Sequence, residues 1–554
     1  MTRCNIRLSL RASAAGWVER SDLAVGRLLA AIAVSLLACF GPAHATANPA
    51  APCRALLQES FAGLPDAPTL LVSADAVSAS ADLPGHCLIE AYVARQVGVQ
   101  VRLPLQNWNG KFLMQGCGGS CGIYSTGACD DALARGYAVS TTDMGHKGGE
   151  MSSWHWAFNA REAEIDFGYR ATHVAAVASK ALIKAFYGNG PRYSYFRGCS
   201  TGGRQGLVEA QRFPHDFDGI IAGAPPLDET GDGALHLLWS ARAAIDRSLK
   251  PLITAAEVDL VHRAVIKACD MLDGLDDGII QDPTRCTWDP VLLACSRSRS
   301  DECLSTAAVE VVRKIYDGAR DSRGRKLLRG GGMPRGSEYA WVPIFIGDKG
   351  QPSPLLAPGD FGDQFLGYLG FYDDPGPGYS SLSFDWDRDP QRLALMEALF
   401  SARNPDLRDY RDRGGKILLY WGWDDVAISA GQGIDYYQTV TALMGGEAQT
   451  RQFFRLFMVP GMGHCRRGRG EVAIDYLTYM ENWVELRQAP DSLLGYHPKN
   501  PLPFAGIPPV RFPLSRDEYE WSRPVYAYPD VAAWTGKRDW KDPAAWVMKQ
   551  RIGK

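Results

Sequence analysis

The pentapeptide Gly198-Cys199-Ser200-Thr201-Gly202 lies between an apolar run, Tyr193 to Arg197, and a helical pattern that continues from Gly203 to Arg212. A strand that passes into a helix through G-x-S-x-G makes a tight elbow, which lifts the serine oxygen above the end of a sheet. Small residues are required because the elbow crowds its own neighbours. The motif occurs a second time, as Gly118-Gly119-Ser120-Cys121-Gly122, but Ser120 is followed by glycine, serine and threonine and not by a helical pattern. Context therefore selects Ser200 as the nucleophile.

The flanking chain supplies the rest of a layered fold. Lys111 to Gln115 and Tyr137 to Thr141 read as short buried strands. Ala171, Val174, Ala175, Ala178, Leu182 and Ala185 recur at helical spacing up to the stop signals Gly188, Gly190 and Pro191. Tyr193 to Arg197 and Gly219 to Ala222 read as further strands. Alternation of this kind predicts a parallel sheet with helices on both faces, and with the serine elbow it predicts an α/β-hydrolase fold. Between Pro225 and Pro390 the rhythm breaks into cysteines, Asp and Gly clusters and unperiodic aromatics, then returns with Lys416 to Trp421 and Phe453 to Val459. The expected organisation is a leader (1–45), a first core segment (46–226), an inserted lid (227–396) and a second core segment (397–554). A chain of 554 residues is long enough for this.

A serine hydroxyl needs a histidine to take its proton, and that histidine needs a carboxylate to fix its tautomer. In this fold the chain order is serine, acid, histidine. Asp425 follows the strand Lys416 to Trp421, with Asp424 beside it as an equally spaced rival, and His464 follows the strand Phe453 to Val459. Cys199 adjoins Ser200 and Cys465 adjoins His464, so a serine and histidine within hydrogen-bond reach would bring the two thiols within bonding distance. An oxyanion needs fixed backbone N–H donors; Thr201 supplies one, and the glycine-rich segment Gly116-Cys117-Gly118-Gly119 supplies the other, assigned to Gly118. Cys269 to Ile279 packs Asp270, Asp273, Asp276 and Asp277 among glycine turns, a hard-oxygen density that suits Ca2+ better than Zn2+; it fails the EF-hand spacing, and by itself the segment reads more readily as a solvated acidic turn.

The first 45 residues carry Arg3, Arg7, Arg11, Arg20 and Arg27, then an apolar run from Leu28 to Phe40, then Ala43-His44-Ala45. This is the order of a signal peptide, and the run is too short to span a bilayer. Export to the periplasm or outside the cell is the expectation, and it accounts for 13 cysteines. The alternative is an outer-membrane lipoprotein anchored at Cys39, in Leu36-Leu37-Ala38-Cys39. A net charge of −3 gives no electrostatic reason to bind nucleic acid.

Taken together, these motifs resemble the tannase and feruloyl esterase family, which includes mono(2-hydroxyethyl) terephthalate hydrolase. The resemblance runs from Cys53 to Pro529 and rests on Trp108 to Phe112, the segment from Gly116, Gly198 to Gly206, Cys269 to Ile279 and Phe457 to Cys465. It implies a triad of Ser200, Asp425 and His464, with Asp425 chosen over Asp424 because Gly422-Trp423-Asp424-Asp425-Val426-Ala427-Ile428 carries the family's acid pattern. It also implies a structural Ca2+ held by Asp270, Asp273 and Asp277 and the carbonyls of Leu275 and Ile279. The implied disulfides are Cys53–Cys87, Cys199–Cys465, Cys269–Cys286 and Cys295–Cys303. Cys117, Cys121 and Cys129 remain, so one further local pair and one free thiol are expected.

The implied activity is hydrolysis of esters of aromatic acids (feruloyl, galloyl or terephthalate-monoester type) through an acyl-enzyme, with no organic cofactor and a small aromatic ester as partner. The terephthalate monoester enzyme carries Phe three residues after the acid where this chain has Ile428, which argues against a terephthalate preference. Aromatic contacts from the lid are expected from Phe365, Tyr368, Phe371, Tyr372 and Trp386, whose other reading is the lid's own core. Two further functional classes share the same residues: a binding protein on a hydrolase relic, and a secreted serine peptidase.

Overall fold

A computed structural model of the chain describes residues 50–148, 153–296, 302–500 and 512–550. The leader, its cleavage site and Cys39 lie outside the described residues. Among the described residues, nine strands form one mixed sheet: β1 (Thr69–Val77), β2 (His86–Val93), β3 (Val97–Pro104), β4 (Lys111–Gln115), β5 (Ala138–Thr142), β6 (Tyr193–Cys199), β7 (Gly219–Gly223), β8 (Lys416–Gly422) and β9 (Phe454–Val459). Their spatial order is β1-β2-β3-β5-β4-β6-β7-β8-β9. Every neighbouring pair from β5 through β4 to β9 is parallel, and the pairs β1·β2, β2·β3 and β3·β5 are antiparallel.

The parallel half is the one the alternating sequence pattern predicts. The antiparallel half was hidden because its strands do not read as continuous apolar runs. In β3, Val99, Val101 and Leu103 alternate with Gln100 and Arg102, and all of them are buried. The Arg102 guanidinium is satisfied there by Asp130 at 2.8 Å and by the Thr126 carbonyl at 2.5 Å. A charged residue can sit in a buried strand only with partners of this kind, and sequence alone does not show them.

The sheet is flanked by the helix Ala171–Tyr187, which ends on Gly188 at φ 80°, and by the helix Thr201–Arg212. The second helix approaches the sheet more closely than side chains normally allow. A Cβ on Gly203 would lie 2.3 Å from the Gly223 carbonyl oxygen of β7, and one on Gly206 would lie 2.9 Å from Ile220 Cγ2. Backbone meets backbone at this crossing, so the helix N-terminus is held at a fixed height above β6.

Between β7 and β8, residues 224–415 add no strand to the large sheet among those described. Part of this segment builds a core of its own, in which Val258, Val261 and Val265 of the helix Ala255–Cys269 meet Val311, Val312, Trp341 and Phe345. Another part, including Phe365, Leu366 and Phe371, is continuous with the core over the sheet. After β9 come two small antiparallel sheets, one of Ala473–Ile474, Ser492–Pro498 and Tyr519–Tyr526, the other of Val531–Trp534 and Trp546–Lys549.

Gly203→Ala is expected to destabilise the protein by about 1–3 kcal/mol, the usual cost of forcing a methyl into a full contact. Denaturant unfolding measures this directly, and a loss under about 0.5 kcal/mol, the level of an ordinary surface change, would show that the crossing can relax.

Candidate active site

Because β4, β6, β8 and β9 run parallel, the segments leaving their carboxyl ends emerge on one edge of the sheet, where open α/β sheets place their sites. Those segments carry the Gly116–Gly119 loop, Ser200, Asp425 and His464. Ser200 is the N-cap of its helix and adopts φ 61° and ψ −129°, a strained conformation for a residue with a side chain. The elbow tolerates it because its neighbours have no Cβ. One on Gly198 would lie 2.4 Å from the Gly202 carbonyl, and one on Gly202 would lie 2.8 Å from the Cys117 carbonyl oxygen. The second G-x-S-x-G is built differently: Ser120 is buried in a loop and its carbonyl accepts from His146 Nε2 at 2.7 Å.

Asp425 is fully buried, and its Oδ1 accepts the amides of Ala427 at 2.9 Å and Ile428 at 3.0 Å. Its Oδ2 lies 2.8 Å from His464 Nδ1. A carboxylate only accepts, so Nδ1 carries the proton and Nε2 is left as the basic nitrogen. Asp424 turns away from this pair and accepts from the Tyr339 hydroxyl at 3.1 Å. Burial raises its carboxyl to about 8, against the opposing hydrogen bond from Tyr339. The two adjacent acids thus face different environments, and Tyr339 had no spacing that marked it. His236 braces the same loop, its Nε2 donating to the Val426 carbonyl at 3.0 Å.

A disulfide joins Cys199 to Cys465 across 266 residues, with Cα atoms 5.9 Å apart. The segment that positions Ser200 is therefore covalently tied to the segment that positions His464. Further bridges are Cys53–Cys87, Cys269–Cys286 and Cys295–Cys303. Of the three cysteines left open by the sequence, Cys117 and Cys121 are bonded and Cys129 is free. Burial pushes the Cys129 thiol up to about 11, which leaves it inert. Thr201 Oγ1 donates to the Gly119 carbonyl at 2.7 Å, so the loop of Gly118 is fastened to the helix that carries Thr201.

The acidic loop 270–279 turns at Gly274 (φ 95°) and Gly278 (φ 78°) and is knitted by its own carboxylates. Asp270 accepts from the Gly278 amide at 2.8 Å, Asp273 from Leu275 at 3.0 Å and Asp277 from Ile279 at 3.0 Å. Asp270 Oδ1 and Asp273 Oδ2 stay buried without a hydrogen-bond partner. Burial, reinforced by the neighbouring negative charge of Asp277, raises both carboxyls to about 6. Arg523, which the sequence did not single out, ion-pairs with Asp277 while its guanidinium packs 4.3–4.6 Å from the ring centres of Trp521, Trp540 and Trp546. Among the described residues, His173, Glu209 and Asp216 form a group whose ligand atoms all lie within 4.8 Å of one another, a spacing that could hold a metal ion.

The expected aromatic contacts divide by exposure. Phe365 is sealed against Gly233 and edge-on to Trp154 at 5.4 Å, and Phe371 is stacked on Phe384 with Arg392 over it at 3.9 Å. Tyr368 is buried between His155 and Phe158. Tyr372 is exposed beneath Arg161, and Trp386 is half-buried, edge-on to Trp239 at 5.0 Å. Ile428 is buried next to the acid, its carbonyl accepting from Trp421 Nε1 at 3.0 Å.

The sequence profile described as tannase and feruloyl esterase matches residues 83–546. Mono(2-hydroxyethyl) terephthalate hydrolase of Piscinibacter sakaiensis is 31% identical over 532 residues, covering 84% of this chain and 85% of that protein. Feruloyl esterase B of Aspergillus niger is 31% identical over 467 residues, covering 80% and 82%. Among solved structures, feruloyl esterase B from Aspergillus oryzae superposes with a TM-score of 0.77 at 28% identity, covering 90% of this chain and all of that one.

The contrast between the two acids is testable. Asp425→Asn should lower kcat by about 10⁴-fold, because an amide no longer holds the histidine tautomer, whereas Asp424→Asn should leave kcat within a few-fold. Asp424 is raised to about 8 in the folded chain and ionises in the ordinary carboxylate range when unfolded. It therefore weakens the fold as pH rises from about 4 to about 8. Asp424→Asn, with no proton to lose, should flatten that decline in a melting series from pH 4 to 9; an unchanged profile, or a large loss of kcat, would reverse the assignment.

Proposed function

The chain belongs to the tannase and feruloyl esterase family, and we propose that it is a secreted or periplasmic serine esterase acting on esters of aromatic acids through an acyl-enzyme. The observation that carries the reading is the hydrogen-bonded His464–Asp425 pair, joined through Cys465–Cys199 to the residue beside a strained Ser200. In the proposed reaction the Ser200 hydroxyl attacks the ester carbonyl carbon while His464 Nε2 takes its proton. The Asp425 carboxylate stabilises the imidazolium. The amides of Thr201 and Gly118 receive the oxyanion; Thr201 is in the first turn of its helix, where the N–H has no helical acceptor. Collapse of the tetrahedral intermediate expels the alcohol, protonated by His464. Water, deprotonated by His464, then releases the acid and restores Ser200.

Residues 227–396 are proposed as a lid that shapes the acyl pocket. Ile428, packed beside the acid loop, is proposed to limit the pocket on the acyl side, and Tyr372 and Trp386 are the aromatic candidates that keep free surface. Feruloyl and other hydroxycinnamoyl esters, and galloyl esters, are the favoured substrates over terephthalate monoesters. Five disulfides among the described residues support an oxidising compartment, and no described helix is long and apolar enough to cross a membrane.

The loop 270–279 is proposed to hold a structural Ca2+. The buried orphan oxygens of Asp270 and Asp273, crowded by like charge, fit a hard cation; with Asp277 and the carbonyls of Leu275 and Ile279 they would complete an all-oxygen set. The ion would neutralise the loop and take no part at the ester.

Ser200→Ala should abolish turnover while leaving folding intact, and Ser120→Ala should keep turnover within a few-fold. A panel of methyl ferulate, methyl gallate and a terephthalate monoester, read by product release, should show the first two preferred; preference for the terephthalate ester would refute the Ile428 argument. Strong chelation should lower Tm by several degrees, with little change in rate per folded molecule. An unchanged Tm would remove the calcium.

A further inference from the structure

The Cys117–Cys121 disulfide closes a loop of only five residues around Gly118, Gly119 and Ser120. In the chain-entropy description so short a loop gains far less global stability than the 266-residue separation spanned by Cys199–Cys465. Its effect is local. The segment it closes is rich in glycine, with Gly119, Cys121 and Gly122 at φ 58°, 62° and 83°, so an open chain there would sample many backbone states.

The bridge is also one of two points by which the loop is attached to the helix Thr201–Arg212. Gln205, one turn beyond Thr201 and almost fully buried, donates from Nε2 to Cys117 Sγ at 3.0 Å and lies 3.6 Å from Cys121 Sγ. Thr201 Oγ1 holds the Gly119 carbonyl at 2.7 Å. Within the loop, the Cys121 amide donates to the Gly118 carbonyl at 3.1 Å, which fixes the peptide plane on the far side of Gly118. His146 Nε2 donates to the Ser120 carbonyl at 2.7 Å. Just before the bridge the chain packs closely on the helix, since a Cβ on Gly116 would lie 2.8 Å from Gly202 Cα and 2.7 Å from Gln205 Oε1.

We propose that the Cys117–Cys121 bridge is a positioning device for the transition state: with Gln205 it fixes the Gly118 amide relative to the Thr201 amide and so sets kcat, with little influence on substrate binding or global stability. The inference rests on the oxyanion assignment made above. Its physical basis is that preorganised donors act only on the charge that develops in the tetrahedral intermediate, and a displacement of about 1 Å can cost on the order of 10²-fold in rate. Cys117 and Cys121 touch no reacting atom and act through Gly118.

The test compares the parent with Cys117→Ala/Cys121→Ala in the full chain. Four quantities are read: kcat and KM on a chromogenic ferulate ester, inhibition by an aryl boronic acid that forms a tetrahedral adduct, inhibition by ferulate, and Tm. The expected result is a fall in kcat of about 10²–10³-fold, the scale of one lost oxyanion donor. Boronate affinity should fall in parallel, while KM and ferulate inhibition stay within a few-fold. An unchanged kcat, or a parallel loss of KM, ferulate inhibition and kcat, would overturn the proposal. Failure of both this variant and Cys117→Ser/Cys121→Ser to fold would also overturn it, by making the bridge a global stability element, as would alkylation of both thiols in the unreduced parent. Should the parent bind the boronate no more tightly than ferulate, the serine-esterase reading itself is what fails.

Discussion

A side chain at φ 61° and ψ −129° persists only where the surrounding backbone leaves it no alternative, and Ser200 is held in that way by close contacts between main chains. Gly198, Gly202 and Gly203 each lack the atom that would strike a neighbouring backbone at 2.3–2.8 Å. Gly116 lacks it on the facing loop. The elbow, the crossing of its helix over β7 and the approach of the Gly116 loop are consequently one packing solution. Remove the contact at any of these points and the serine oxygen, the Thr201 amide and the Gly118 amide lose their common reference.

The other two members of the site reach that reference by different means. Asp425 is positioned by hydrogen bonds from Ala427 and Ile428 in its own loop, and it then orients His464. His464 is brought back by a covalent link, since Cys465 is bonded to the residue preceding Ser200. Long excursions of chain separate the three, and the parallel strands beneath them return each excursion to the same edge of the sheet. The large segment between β7 and β8 reaches back to that edge as well, since its His236 and Tyr339 bond to Val426 and Asp424 in the loop that carries Asp425.

Much of this was legible because local chemistry and fold agree. Ser200 was distinguishable from Ser120 by the helical pattern after it, and the strands read at 111–115, 193–197, 219–222 and 416–421 coincide with β4, β6, β7 and β8 apart from residues at their carboxyl ends. What stayed hidden depends on partners distant in sequence. Strand β3 carries Arg102, whose burial makes sense only once Asp130 is in place. Asp424 and Asp425 are equivalent by spacing, and only the Tyr339 hydroxyl on one and the His464 ring on the other separate them. Arg523 holds Asp277 from a tail some 250 residues away, caged by three tryptophans whose spacing fits no motif. Composition could count three leftover cysteines, but only the reversal of the chain at Gly118 to Cys121 shows which two meet.

The central claim is that Ser200 is the atom that becomes acylated. Treating the protein with an aryl fluorophosphonate, digesting it and sequencing the labelled peptide by mass spectrometry tests this with no assumption about the natural ester. The account predicts a single stoichiometric adduct on Ser200, formed in step with the loss of esterase activity, slowed by competing substrate while it lasts and largely suppressed by Asp425→Asn. Labelling at Ser120, or full activity in a chain whose Ser200 is blocked, would contradict it.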